Sequence, residues 1–122
     1  MKTLILIGLG GAVGSICRYL VQIFVSRYVT LTFPLGTFLV NISGCFAIGL
    51  LFGLAGKYAW MTIEWRLLLI TGVCGGFTTF SSYSYEGLTL LKQGNYLYFA
   101  SYILLSVFLG LMATWGGLAI MK

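Results

Sequence analysis

The chain has 122 residues, and its composition excludes an ordinary soluble domain. Hydrophobic residues make up 60% of it and charged residues only 7%, whereas soluble domains carry about 25% charged residues. A soluble fold of this length needs far more polar surface, so lipid must be the solvent for most of the chain. The length allows one domain, residues 1–122.

The net charge of +5 comes from seven basic and two acidic residues. The basic residues are scattered singly, mostly at the ends of apolar runs, which favours contact with membrane lipid headgroups over a nucleic-acid partner. The three cysteines lie inside apolar runs without metal-binding spacing, and histidine is absent. Neither a disulfide nor a zinc site is predicted, and the chain is not expected to be an enzyme.

Four stretches are long and apolar enough to predict membrane spans, since a crossing helix needs about 20 residues. They cover about residues 3–25, 35–55, 65–91 and 96–121. The first has no convincing cleavage site and is interpreted as a span, not a signal peptide. Short loops make consecutive spans antiparallel neighbours. Basic residues favour one side only weakly, so both a single orientation and a dual one, with antiparallel pairing, stay open.

The first two spans contain close-packing signals and two isolated polar groups. Gly10 and Gly14 form a small-residue packing motif, and so thin a bundle favours an oligomer. Arg18 in span 1 is either a functional residue or a side chain that snorkels to the interface. Asn41 in span 2 needs a buried partner, and its amide can donate to an anion or to another helix.

The third span is predicted to be interrupted. Small and hydroxyl residues crowd into its middle: Gly72, Gly75, Gly76, Thr78, Thr79, Ser81, Ser82 and Ser84. These residue types disfavour a helix interior or compete for its hydrogen bonds. Backbone carbonyls released at such a break can coordinate a cation. A continuous, glycine-kinked helix is the alternative.

Polar and aromatic residues after the break indicate an ion path. Phe80 and Tyr83 share a helical face, where their positive ring edges could contact an anion or simply pack. Glu86 is either an intramembrane functional residue or faces the aqueous end. Span 4 carries a four-residue repeat, which makes a polar stripe: Tyr98, Tyr102, Ser106, Gly110 and Thr114.

Three stretches resemble the small bacterial fluoride channels called Fluc or CrcB. They are residues 10–19 (GGAVGSICRY), 36–44 (GTFLVNISG) and 75–86 (GGFTTFSSYSYE), in the order of that family. The resemblance extends over essentially the whole chain. It implies an all-α integral membrane protein of the bacterial inner membrane, with four transmembrane helices per subunit and the third broken mid-membrane. It also implies an antiparallel, dual-topology homodimer with two fluoride pores that exports fluoride passively.

The resemblance implies roles for particular residues. A structural sodium ion at the dimer interface would be held by the backbone carbonyls of Gly75 and Thr78. Positions matching the family's fluoride pathway are Asn41, Phe80, Ser81, Ser82, Tyr83, Tyr102, Ser106 and Thr114, and Glu86 and Arg18 also fall on motif positions. The family usually has a second phenylalanine at position 83, so Tyr83 adds a hydroxyl there.

Two other functions are weaker interpretations of the sequence. A small multidrug-type exchanger needs a carboxylate in its first span, and this chain has none there. A membrane scaffold without transport activity would explain the glycines, but neither the hydroxyl cluster nor Asn41.

Overall fold

The computed structural model describes residues 1–122, all of its regular structure being helical. Helix α1 runs over Lys2–Tyr28, α2 over Leu35–Lys57 and the last helix, α5, over Tyr96–Ile120. Between α2 and α5 lie α3, residues 63–77, and α4, Phe80–Lys92. Within α3, an eight-residue π-helical stretch, Leu67–Cys74, separates two short α-helical ends.

Three helices, α1, α2 and α5, are long and apolar enough to cross a membrane. They coincide with the first, second and fourth predicted spans. The third predicted span falls on α3 and α4, which are two shorter segments. Only 16 of the 122 residues are buried, so the apolar outer surface requires lipid or another protein around it.

Helices α1 and α3 are in backbone contact through their glycines. A Cβ on Gly14 would overlap the carbonyl oxygen of Val73, and one on Gly76 would lie 2.5 Å from the carbonyl oxygen of Gly11. No side-chain layer separates the two helices at these points, as expected of small-residue packing in membranes. The predicted packing motif therefore serves the α1–α3 contact.

Helices α2 and α5 form the second close pair. A Cβ on Gly117 would lie 2.5 Å from the carbonyl oxygen of Phe46, and one on Gly49 would overlap that of Thr114. Helix α3 packs against α1 and α2, and α4 packs against α5 and α2, so the residues singled out in the third span meet the other helices.

The helical path is interrupted at Thr78 and Thr79. Thr78 has φ −78° and ψ 157°, and Thr79 has φ −149° and ψ 118°, so both are extended. Threonine is β-branched and suits extended backbone. The Thr79 hydroxyl accepts from the Ser82 amide at 3.2 Å and so caps the start of α4, as threonine commonly does at helix N-termini.

Candidate functional site

Asn41 of α2 holds the interruption from the side. Its Nδ2 donates to the carbonyl oxygen of Thr79 at 3.0 Å, and its Oδ1 accepts from the Thr79 amide at 2.8 Å. One side-chain amide therefore replaces the two helical partners that Thr79 lacks, which removes the cost of unpaired backbone groups. The second N–H of the Asn41 amide is left over from this pairing.

The interruption releases two backbone carbonyls from the helical ladder. In a continuous helix Gly75 would accept from the amide of Thr79, and Thr78 from that of Ser82. The Thr79 amide donates to Asn41 instead, and the Ser82 amide donates to the Thr79 hydroxyl. Neither released carbonyl oxygen has another hydrogen-bond partner in the chain.

Arg18 of α1 also reaches the interruption. Its Nε donates to the carbonyl oxygen of Gly76 at 3.1 Å, from a half-buried position. The guanidinium thus brings its positive charge to the end of α3, and its remaining N–H groups are not used in this contact. Of the carbonyls at residues 75, 76 and 78, only that of Gly76 is paired with a side chain.

An open groove of about 290 Å³ lies beside the interruption. Its walls include Asn41, Gly75, Thr78, Thr79 and the exposed ring of Phe80. A Cβ on Gly44 would overlap Cγ2 of Thr78, so the glycine is what lets α2 approach so closely. The groove brings together several of the predicted site residues from the second and third spans.

Aromatic rings continue from the groove towards α5. The Tyr83 ring lies 5.7 Å from that of Phe80 and 5.1 Å from that of Tyr102, tilted by 51° and 57°. Tyr102 is fully buried, and its hydroxyl donates to Glu86 Oε1 at 3.2 Å. Phe80, Tyr83, Tyr102 and Glu86 thus form one connected run.

The remaining predicted residues occupy different environments. The Ser106 hydroxyl oxygen is buried without a hydrogen-bond partner. The Ser81 hydroxyl lies 3.3 Å from that of Thr79, and Ser82 contributes its amide to the cap of α4. The Thr114 hydroxyl lies 3.1 Å from the carbonyl oxygens of both Cys45 and Gly110, so its hydrogen is used in packing α5.

Sequence reasoning missed three residues that lie beside the Glu86 end of this run, namely Gln22, Phe33 and Thr37. Thr37 is 1% exposed, and its hydroxyl accepts from Gln22 Nε2 at 3.2 Å. Phe33 presses its ring edge-on against Tyr102 at 5.4 Å, and a cavity of about 180 Å³ is lined by these three residues and Glu86. Polar Gln22 and Thr37 inside apolar spans were the available signal.

Thr79 was recognised only as part of the hydroxyl cluster. Its backbone pairing with Asn41 joins residues that are 38 positions apart, so no local pattern could reveal it. The chain has no group of three or more His, Cys, Asp or Glu side chains that could hold a metal ion. The arrangement offers hydrogen-bond donors and ring edges to an anion, and backbone carbonyls to a hard cation.

These features define the chain as a multi-pass helical membrane protein in which polar side chains meet an interrupted helix. The family model described as "CrcB-like protein, Camphor Resistance (CrcB)" matches residues 5–118. The chain belongs to this CrcB family, which confirms the resemblance found in the sequence.

Relatives along the full chain agree with this membership. A protein of Flavobacterium psychrophilum named "Fluoride-specific ion channel FluC" is 51% identical, over 100% of this chain and 98% of its own length. Proteins of the same name from Azobacteroides pseudotrichonymphae and Leptospira interrogans are 43% and 41% identical, over 93% and 99% of this chain and 90% and 95% of their own lengths. All are named as channels, in agreement with the prediction that the chain is not an enzyme.

Proposed function

We propose that this protein is a fluoride-selective channel that lets fluoride leave the cytoplasm passively and so lowers its toxicity. The relatives are named fluoride-specific channels, and the structure offers anion-binding groups without a catalytic constellation. No energy source is needed, because fluoride leaves down its electrochemical gradient. In acid surroundings HF enters through the membrane and dissociates inside, which creates the load to be exported.

The observation that carries the proposal is the pairing of Asn41 with Thr79. It fixes the Asn41 amide beside the groove and leaves one N–H to donate. It also frees the carbonyl of Gly75 by taking the Thr79 amide. The Thr79 hydroxyl takes the Ser82 amide and frees the carbonyl of Thr78. The pairing of Asn41 with Thr79 therefore supports both a donor for an anion and one of the two proposed acceptors for a cation.

The proposed fluoride pathway follows the groove and the aromatic run. Fluoride is small and strongly hydrated, so a pathway must replace its water with other donors. The spare Asn41 N–H and the unpartnered Ser106 hydroxyl are such donors, and the edges of Phe80 and Tyr83 add partial positive charge. The pathway would also use Arg18, Ser81, Ser82, Glu86, Tyr102 and Thr114.

The proposed assembly is an antiparallel homodimer with two pores in the bacterial inner membrane. Each subunit would cross the lipid four times, the third crossing being broken at Thr78 and Thr79. Gly75 and Phe80 are exposed on the surface of the single chain. They lie at the interruption, where backbone carbonyls have no hydrogen-bond partner. Polar backbone at membrane depth needs protein or a water-filled cavity against it, which a second copy would supply.

A structural sodium ion would bind at the dimer interface through Gly75 and Thr78. Sodium is a hard cation that prefers oxygen ligands, and these two carbonyl oxygens have no hydrogen-bond partner in the chain. The donor set therefore fits the ion, with two carbonyls from each subunit. When bound, the ion would supply a fixed positive charge that raises the local potential for anions.

Fluoride efflux from liposomes that contain the purified protein tests the proposed function. With a potassium ionophore to let K⁺ leave and balance the charge, we expect rapid fluoride release into a fluoride-free medium, followed with a fluoride electrode, and no release of chloride from matched vesicles. Vesicles without protein provide the background. Absence of fluoride efflux at every protein density would refute the proposal, and equal efflux of chloride would refute its selectivity.

A further inference from the structure

Helix α4 depends largely on α5 for its position beyond its first turn. An extended break precedes α4, and a short turn at residues 93–95 follows it, so neither end continues into a rigid helix. Inside the chain α4 packs chiefly against α5. The side chains that join these two helices therefore help to set the direction of α4, together with the pairing of Asn41 with Thr79 at its start.

The Tyr83 hydroxyl is one of these connections. It donates to the carbonyl oxygen of Ile103 at 2.9 Å. Ile103 lies inside α5, so its carbonyl keeps a helical partner and offers its second lone pair to the phenol. A phenol has one hydrogen to donate. The Tyr83 hydroxyl is thus engaged with α5 and has no hydrogen left for an anion.

The side chain of Ile103 also packs against α4, at Gly87, one turn after Tyr83. A Cβ on Gly87 would lie 3.0 Å from Cδ1 of Ile103, so the glycine makes room for that side chain. Residues 83 and 87 are four apart and share a helical face. Ile103 is therefore held through its carbonyl by Tyr83 and through its side chain by Gly87, with the Tyr102–Glu86 hydrogen bond alongside.

We propose that Tyr83 is a positioning residue of the pathway, whose hydroxyl anchors α4 to the Ile103 carbonyl while its ring, not its oxygen, meets the anion. The ring lies between those of Phe80 and Tyr102. With the hydroxyl fixed on α5, the ring cannot swing out of this row. This inference rests on the proposed fluoride channel and assigns separate tasks to the two ends of one side chain.

Tyr83→Phe tests the anchor, because it removes the hydroxyl and keeps the ring. We expect the maximal fluoride flux to fall about fivefold, the effect of one hydrogen bond, while the fluoride concentration giving half-maximal flux stays the same. Tyr85→Phe is the matched control, since Tyr85 is 73% exposed two residues further along. Its flux should equal that of the wild type.

A donor-restoring variant separates positioning from general damage. para-Aminophenylalanine at position 83 keeps an N–H in place of the O–H and should recover the wild-type maximal flux. para-Methoxyphenylalanine has no hydrogen to donate and should not. Undiminished flux in Tyr83→Phe would overturn the anchor. A rise in the half-maximal concentration would overturn it too, because the hydroxyl would then bind fluoride.

Infrared spectroscopy of the wild-type protein gives a readout independent of flux. With isotope-labelled tyrosine and Tyr83→Phe to assign the band, the C–O stretch of Tyr83 should be identical in fluoride and in chloride. A fluoride-dependent shift would show that the hydroxyl changes partner, against the proposal. Failure of the proposed function is distinct, because the wild-type protein itself would then release no fluoride.

Discussion

Both polar atoms of the Asn41 side-chain amide hydrogen-bond to one residue, Thr79, so this position requires a donor as well as an acceptor. Aspartate has nearly the same shape but lacks the N–H that donates to the Thr79 carbonyl at 3.0 Å. Its negative charge would also lie beside that oxygen and beside the groove. The residue thus combines a structural task at the break with a donor for the proposed anion.

Asn41→Asp is therefore expected to lower fluoride flux in liposomes by at least about tenfold, through the lost donor and the added charge. Size-exclusion chromatography checks that the oligomer persists. Ser43→Ala is the control in the same helix, because the Ser43 hydroxyl lies 2.7 Å from the carbonyl oxygen of Leu39, one turn back in α2. Wild-type flux in Asn41→Asp would remove Asn41 from the pathway.

Phe80 is the most exposed ring of the run, at 78% of its surface, so packing inside the chain does not account for it. Phe80→Ile keeps the apolar volume roughly but loses the positive ring edge. We expect fluoride efflux to fall about tenfold, in line with the energy of aromatic contacts. Phe52→Ile, at a 53% exposed ring in α2, should leave efflux unchanged. Equal loss in both variants would contradict a special role for Phe80.

At the scale of elements, the α1–α3 contact is rigid because backbone meets backbone. Gly14→Ala would force a Cβ against the Val73 carbonyl, which cannot turn away as a side chain could. We expect a loss of about 1–3 kcal/mol of stability from this overpacking, measured as a lower midpoint of thermal unfolding in detergent. Gly8→Ala in the same helix meets nothing within 4 Å and should leave the midpoint unchanged or slightly higher.

The helices themselves could be predicted well because they are long and apolar. The ends of α1, α2 and α5 lie within three residues of the predicted spans, and Thr78 and Thr79, where the helical path is interrupted, lie within the cluster of small and hydroxyl residues. The π-helical stretch of Leu67–Cys74 was not predicted. Apart from Thr71 and Gly72 its residues are apolar, as in an ordinary membrane helix, and no local pattern in them indicates the π-helical geometry.

The candidate site was predictable in its residue types and not in its contacts. Asn41 and the hydroxyl cluster were found because polar groups in apolar runs are conspicuous. The pairings of Asn41 with Thr79 and of Tyr83 with Ile103 are 38 and 20 residues apart. Such contacts depend on how helices cross, which no local pattern encodes. The sodium site and the individual pathway roles stay predictions.

At the scale of the whole molecule, the weak charge bias can be tested directly. Lys2 is paired with Glu64 at 2.9 Å at the end where α1 and α3 begin, and Arg27 and Lys92 lie in the last turns of α1 and α4, at the opposite end. Both ends thus carry basic residues, so neither is strongly retained in the cytoplasm.

Single cysteines at Ala59 and Gln93, placed in a cysteine-free background, report the two ends. If the chain inserts in both orientations, an impermeant maleimide should label about half of the molecules at each position in intact cells. Both residues are exposed in the chain, so access is not limited by folding. Nearly complete labelling at one position with none at the other would show a single orientation and exclude the antiparallel dimer.

The pairing of Asn41 with Thr79 also bears on how the protein is made. Asn41 precedes Thr79 by 38 residues, so α2 leaves the ribosome before the stretch that it must hold. Because chains are synthesised and fold from the N-terminus, the side chain of Asn41 is available for pairing when Thr79 is added. Moving the segment with Asn41 behind the third span by circular permutation would reverse this order of arrival, while the finished contacts would remain the same.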